Sequence, residues 1–363
     1  MKPNQLITIF TLPFLLLNCK KNNITNEEIT KQINEDSAFI EQKKAVYQPF
    51  VDSLIKKHHL NGIIRIGWKD KLVYTNYSGY SNFKDSIKIS ENSNFAIASI
   101  SKQFTAAIIL QLEQKRQLHL DDKVASYLPD FDNRERKDIT IRQLLNHTSG
   151  IVDHGTGIAS KPGKTFSYSN KGFYILQQII EKITGEKMSA YVQKLAAERN
   201  LNNTKAADQP TDSLFSFAYV GSRTKPEIIT NMPKRLLEPN ISLGAGGIIS
   251  SAKDLQNWNY QLYTGQIVAS KELKQFITKY SDRPHPILGT MGYGLGIMMN
   301  LKGPQSYFHS GYVKGAPSLN LYYPQSKLSV IILSNFANES LGKKAVFKPH
   351  LELKKFADSI ESI

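Results

Sequence analysis

The sequence predicts an α+β fold: an antiparallel sheet built from both ends of the chain, flanking helices, and a mostly helical lobe between. Three observations carry this. Alternating apolar segments bounded by turn residues occur near the start, GIIRIGWKDKLVYTNYSGYSN (62–82), and again near the end, APSLNLYYPQ and KLSVIILSNF (316–336). The stretch from 120 to 200 is a series of helical-period patches joined by polar loops. With 363 residues at 40% hydrophobic content, the chain has ample material for a core.

Taken in order, EQKKAVYQPFVDSLIKKHHL (41–60) has helical periodicity, and the first hairpin turns at Lys69-Asp70. The run FAIASISKQFTA (95–106) then passes from an apolar segment into a helical pattern, so a helix starts near Ser99 or Ser101. LDDKVASYL, TIRQLLNHTSG, KGFYILQQIIEKITG and SAYVQKLAAERN supply the middle helices. Residues 210–240 are less regular. A helix over 250–265 opens on a serine cap and stops at Gly265. The last two strands turn around Gln325-Ser326, and Pro349 to Ile363 forms a final amphipathic helix. These elements make one domain over 41–356. Its sheet lobe is about 41–98 and 285–356, its helical lobe about 99–284, and the cleft between them is a natural ligand site.

The N-terminus has a different character. Residues 6–17, LITIFTLPFLLL, are apolar but shorter than the roughly 20 residues that span a bilayer, so 1–18 is expected to be a secretory signal peptide. Cys19, the only cysteine, resembles the lipidated first residue of a bacterial lipoprotein, with 19–40 as a polar tether. A lone cysteine excludes an internal disulfide. The expected location is the bacterial cell envelope, exported and membrane-anchored through the lipid; the alternative is a soluble periplasmic or secreted protein. The formal charge is +15, but the lysines are scattered and no basic helix or aromatic-basic stripe appears. Nucleic acid is therefore not an expected partner. The expected molecule is a monomer. No cofactor or metal is expected, because the eight histidines show no ligand spacing and H-E-x-x-H is absent. G-x-S-x-G is absent as well.

The chemistry-bearing residues begin with the two serines of FAIASISK. A helix turns about 100° per residue, so positions three apart share a face. Ser99 and Lys102 can meet; Ser101 and Lys102 point apart. If one serine is a nucleophile it is Ser99, and the helix N-terminus offers N–H groups where an oxyanion would form. Either serine could instead be a simple helix cap. Three other stretches are short, polar and oddly aromatic or glycine-rich: Tyr168-Ser169-Asn170 before a helix, Gly244-Ala245-Gly246-Gly247, and His309-Ser310-Gly311 leading into a strand.

With Leu144-Leu145-Asn146-His147-Thr148-Ser149-Gly150, these motifs occur in an order that resembles the serine β-lactamase and penicillin-binding protein superfamily. The branch it is similar to is that of class C β-lactamases, D-alanyl-D-alanine carboxypeptidases and esterases. The resemblance spans roughly residues 40–350. It implies that the partner is a small-molecule or peptide acyl substrate, and acyl transfer through an acyl-enzyme, with Ser99 as nucleophile and Lys102 and Tyr168 sharing the proton work. It implies that Asn170, His309, Ser310 and Gly311 bind substrate, and that the backbone N–H groups of Ser99 and Tyr312 form the oxyanion hole. Which of Lys102 and Tyr168 is the base stays open. One departure stands out: many members have Lys-Thr-Gly where this chain has His309-Ser310-Gly311. A neutral histidine is a weak anchor for a carboxylate, which points toward esterase or peptidase chemistry on less anionic acyl substrates. Glu198, in an E-x-x-L-N stretch, is expected to be a surface residue at a helix end, and His147 to stabilise a loop. The alternatives are a β-lactamase or D-alanyl-D-alanine carboxypeptidase and, from another class, a non-catalytic peptidoglycan-binding protein.

Overall fold

A computed structural model describes residues 26–238 and 241–362. The signal peptide and Cys19 lie outside these residues. Among the described residues no helix is long and apolar enough to cross a membrane.

The sheet joins the two chain ends as the alternating patterns require. It has eight strands: β1 (Gly62–Trp68), β2 (Lys71–Ser78), β3 (Ser281–His285), β4 (Gly289–Tyr293), β5 (Met298–Met299), β6 (Tyr307–Val313), β7 (Ala316–Tyr323) and β8 (Leu328–Ser334). Their order is β3-β4-β5-β6-β7-β8-β1-β2, every pair antiparallel. The junction is β1 against β8, in the register Ile64↔Ile332 and Ile66↔Val330. Both strands are buried along their whole length, which explains their near-continuous apolar text. Lys69, at the hairpin turn, takes the left-handed conformation a tight turn demands (φ 54°).

Each face of the sheet is covered. On one side lie the terminal helices α1 (Asn26–His58) and, from the other end of the chain, Lys348–Glu361. Phe356 stacks on Phe50 at 3.8 Å and meets Tyr47 edge-on, so the first and last helices close over the sheet together. The first helix starts well before residue 41. The described part of the expected tether is helix, held by Asp36 to Lys71 at 2.5 Å and by Phe39 against Trp68.

On the other side lies the larger core, formed by the middle helices. Here a second, smaller sheet went unread in the sequence. Asn94–Ala96 pairs with Ile248–Ser251, which pairs with Lys205–Ala206. These strands are two to four residues long, too short for alternation to register. The irregular 210–240 stretch also contains a hairpin, Tyr219–Ser222 with Lys225–Ile228. The helix Ala252–Tyr263 opens on Ser251, whose hydroxyl accepts from the Asp254 N–H, and Gly265 follows it in the left-handed region, as expected.

The junction strand should dominate stability. Ile64 is fully buried in the apolar cluster between the sheet and the terminal helices. Ile64→Ala is expected to lower the unfolding free energy by about 2–5 kcal/mol, read as a lower urea midpoint at unchanged slope.

Candidate active site

The small sheet delivers the first residue of the site. Its strand Asn94–Ala96 runs into a single 3-10 turn, Ala98–Ile100, and the helix Ser101–Gln114 follows directly. Ser99 sits in that turn, partly open to solvent. Ala98, just before it, is in the left-handed region (φ 47°), a conformation that costs an L-residue about 1–2 kcal/mol. Neither serine caps the helix. Ser101 is fully buried and its hydroxyl accepts from the Ile248 N–H at 3.0 Å, which ties the helix to the small sheet. Only Ser99 is placed to meet a ligand.

Lys102 follows one turn on and is fully buried. Its ammonium donates to Ser99 Oγ at 3.2 Å, to Asn170 Oδ1 at 2.9 Å and to the Ala245 carbonyl at 2.7 Å. An ammonium has three donors, and here each has an acceptor. Ala245 belongs to the glycine cluster, which is fixed from two sides: Thr105 Oγ1 donates to the Gly244 carbonyl at 2.6 Å, and the Gly244 N–H donates to Gln177 Oε1 at 3.1 Å. A side chain at Gly244 would overlap the Phe173 carbonyl.

Tyr168 closes the triangle. Its hydroxyl and Ser99 Oγ are hydrogen-bonded at 2.9 Å. The next residue, Ser169, caps the helix Asn170–Thr184 by accepting from the Gly172 N–H at 3.1 Å, so Asn170 is not the cap but the first helical residue, free to face Lys102. His147 holds this loop as expected: its Nδ1 accepts from the Ser169 N–H at 3.2 Å, and its ring packs against Phe166, Tyr168, Phe173 and Tyr293.

The third side is β6. His309, Ser310 and Gly311 lie inside this strand, not before it. A side chain at Gly311 would overlap the Ile97 carbonyl and Ser318 Oγ, so glycine lets the strand close on the serine-bearing segment. Tyr312 follows, opposite Pro317 of β7. His309 is the departure from expectation. It is fully buried, its Nδ1–H donates to the Ser310 carbonyl at 2.7 Å, and its Nε2 accepts from Tyr293 at 3.2 Å. Both ring nitrogens are engaged internally, so its imidazole offers nothing to a substrate. Glu198 is an exposed residue at a helix end.

The electrostatics follow from burial and crowding. Burial pulls the Lys102 ammonium down, and the neighbouring Tyr168 opposes that. Burial pushes the Tyr168 phenol up, but Lys102 and Arg283 outweigh it and hold the phenol below its ordinary range. Three acceptors converge on the Lys102 ammonium, which favours its charged form against the cost of burial. Arg283 was not legible as a site residue. SDRPH reads as an exposed edge, yet Arg283 lies over the Tyr168 ring at 4.3 Å. Burial, and then nearby cations, keep His147 and His309 well below the usual imidazole range; for His285 the same causes give about 4.

Three comparisons bear on this geometry. The family model described as Beta-lactamase matches residues 46–347. The chain is 26% identical over 341 residues to the putative penicillin-binding protein PbpX of Bacillus subtilis (strain 168), covering 87% of this chain and 82% of that one. Among solved structures it is similar to the D-amino acid amidase of Ochrobactrum anthropi SV3, at a TM-score of 0.70, 19% identity and coverage of 85% and 98%. It is also similar to EstCE1, a hydrolase with promiscuous acyltransferase activity, at 0.72, 20%, and 88% and 99%.

The buried neutral histidines predict a stability profile. An unfolded histidine takes up a proton near pH 6.5, whereas His147 and His309 stay neutral in the folded chain until well below that value. Their stabilising contribution is therefore complete above about pH 6.5 and lost as pH falls, at up to about 1.4 kcal/mol per unit for each. Urea midpoints should fall steadily from pH 7 to pH 5, and less steeply in His147→Gln.

Proposed function

Because the chain belongs to the beta-lactamase family of serine hydrolases, we propose that it hydrolyses ester or amide substrates through an acyl-enzyme on Ser99. The observation that carries this reading is the double contact at Ser99 Oγ: Tyr168 at 2.9 Å and Lys102 at 3.2 Å. A hydroxyl needs a partner that takes its proton as it attacks. With the other two donors of Lys102 occupied by Asn170 and Ala245, Lys102 is placed to keep its proton, and Tyr168, whose phenol Lys102 and Arg283 hold below its ordinary range, is placed to act as the base.

The Ser99 proton then moves to the Tyr168 oxygen while Ser99 Oγ bonds to the substrate carbonyl carbon. The carbonyl oxygen becomes an oxyanion facing the backbone N–H groups of Ser99 and Tyr312, donors of a kind each worth about 3–4 kcal/mol in the transition state. Collapse breaks the bond to the leaving group, which departs with the proton held by Tyr168. Water then attacks the acyl carbon as it gives a proton to Tyr168; the bond from that carbon to Ser99 Oγ breaks, the acid leaves, and Tyr168 returns the proton to Ser99 Oγ. Lys102 keeps its proton throughout and lowers the cost of charge on Tyr168. Asn170 spans the site between Lys102 and the substrate, orienting the amide or ester. Ser310 and Gly311 offer the β6 edge to an extended substrate.

Residues 1–19 extend the proposal to location: an exported protein, lipid-anchored at Cys19 in the cell envelope. Metabolic labelling with an alkynyl fatty acid should tag the wild type and not Cys19→Ser. A tag that persists in the variant removes the anchor.

A fluorophosphonate probe should label the wild type and leave Ser99→Ala unlabelled. Labelling by a fluorescent penicillin as well would favour a penicillin-recognising enzyme. Absence of both would favour the peptidoglycan-binding protein. Lys102→Ala and Tyr168→Phe should each cut p-nitrophenyl ester turnover by roughly a hundredfold or more. A near-normal rate in either variant removes that residue from the mechanism.

A further inference from the structure

The proposed reaction needs the backbone N–H of Tyr312, and the ladder leaves that group without a strand partner. β6 and β7 turn on Lys314 and Gly315, closed by Val313 opposite Ala316; the next pair is Tyr312 opposite Pro317. Antiparallel pairs alternate between those that exchange hydrogen bonds and those that do not, and a proline has no N–H to exchange. The pair closing a two-residue turn is a bonded one, so Tyr312 falls in the unbonded class and its N–H points away from β7. On that side the pairing of β5 with β6 covers only Tyr307 and Phe308. The N–H is open to a ligand, and for the same reason no strand neighbour fixes it.

The residue before it is anchored differently. Ser318, opposite Gly311, donates to the Ile97 carbonyl at 3.2 Å and ties that level of the ladder to the serine-bearing segment. At Tyr312 the hold passes to a carboxylate. The Tyr312 hydroxyl donates to Glu339 Oε2, and the Gly315 N–H, in the turn, donates to Glu339 Oε1 at 3.2 Å. Hydrogen bonds to an ionised acceptor are shorter and stronger than neutral ones. No cation ion-pairs with Glu339 among the described residues, so both of its oxygens serve this hairpin. Phe347 backs the Tyr312 ring at 5.7 Å between centroids, and Lys343 lies 5.5 Å from the ring centre. Burial, and then the Glu339 carboxylate, push the phenol above its ordinary range, so it stays a donor. The turn is confined as well: Gly315 is left-handed (φ 81°), and a side chain there would overlap the Tyr219 carbonyl.

We propose that Glu339 is a positioning residue for the oxyanion hole. Through the Tyr312 hydroxyl and the Gly315 N–H it holds the Tyr312 N–H where the developing oxyanion requires a donor. This deepens the proposed function and rests on its acyl-enzyme reading of Ser99. The effect belongs to the transition state. A ground-state carbonyl draws little on these N–H groups, whereas an oxyanion needs both at hydrogen-bond distance. Loosening one of them therefore lowers kcat and leaves KM nearly unchanged.

The test follows p-nitrophenyl butyrate turnover by the full-length protein in Glu339→Ala, Glu339→Gln, Tyr312→Phe, and Glu339→Ala combined with Tyr312→Phe. Tyr312→Phe keeps the ring against Phe347 and removes only the hydroxyl, so its effect is not a folding defect. In Glu339→Ala kcat should fall by about tenfold to a hundredfold, less than the roughly 10²–10³ that outright loss of an oxyanion donor costs, with KM within about twofold. Tyr312→Phe should lower kcat in the same direction, and Glu339→Gln, which keeps one acceptor, should recover part of the rate. The combined variant should be no slower than Glu339→Ala, which already breaks both contacts. Phenylboronic acid, whose boron takes up a serine oxygen in a tetrahedral adduct, should lose affinity in step with kcat. A wild-type kcat in Glu339→Ala, losses that multiply in the combined variant, or unchanged boronate affinity overturns the Glu339 assignment and, with Ser99-dependent turnover, leaves the proposed function standing. Turnover that is equal in Ser99→Ala and the wild type overturns both.

Discussion

The site is organised around one buried charge. Lys102 has no access to solvent, and an ammonium taken from water costs several kcal/mol unless it is paired and hydrogen-bonded. Its three donors draw acceptors from three places: Ser99, one turn back; Asn170, from the start of another helix; and the carbonyl of Ala245, in the glycine cluster. If any one is missing, a donor is left unpaired in a low-dielectric interior. The requirement that this ammonium be satisfied therefore fixes the relative positions of all three segments. The left-handed Ala98 is part of the same arrangement, a local cost accepted where the surrounding contacts determine the backbone.

The framework around that charge is rigid because it is built from remote parts of the chain. Pairing β1 with β8 closes the sheet across some 260 residues of intervening sequence, and the first and last helices seal it from behind. On the opposite face the small sheet links the segment before Ser99 to the one after the glycine cluster. Ser101, which carries no chemistry, is the peg between them. The two serines of FAIASISK thus divide the work: one open and reactive in position, one buried and structural.

Charge in the site is asymmetric. Three histidines surround it, and burial with nearby cations keeps each of them neutral. The positive charge is left to Lys102, whose three donors are all satisfied within the protein, and Arg283, which has no carboxylate partner among the described residues. Both cations lie against the ring of Tyr168, Lys102 at 5.0 Å from its own helix and Arg283 at 4.3 Å from an edge strand.

Patterns of short range were legible in the sequence. The hairpin turning at Lys69-Asp70, the serine-capped helix ending before Gly265, and the choice of Ser99 over Ser101 all depend on spacings within one turn or one strand, which backbone geometry alone fixes. Ordered motifs added Tyr168, Asn170 and the glycine cluster as companions. Tertiary structure decided the rest. It buried His309 with both nitrogens engaged, enlisted the carbonyl of Ala245, and laid Arg283 over Tyr168 from an edge strand. None of these could be read from the chain, because a carbonyl has no residue signature and an arginine in an alternating strand has the same text whether its inner neighbour is solvent or a phenol. Sequence determines which groups share a local face; only the packing of distant segments determines which charges face each other without water between them.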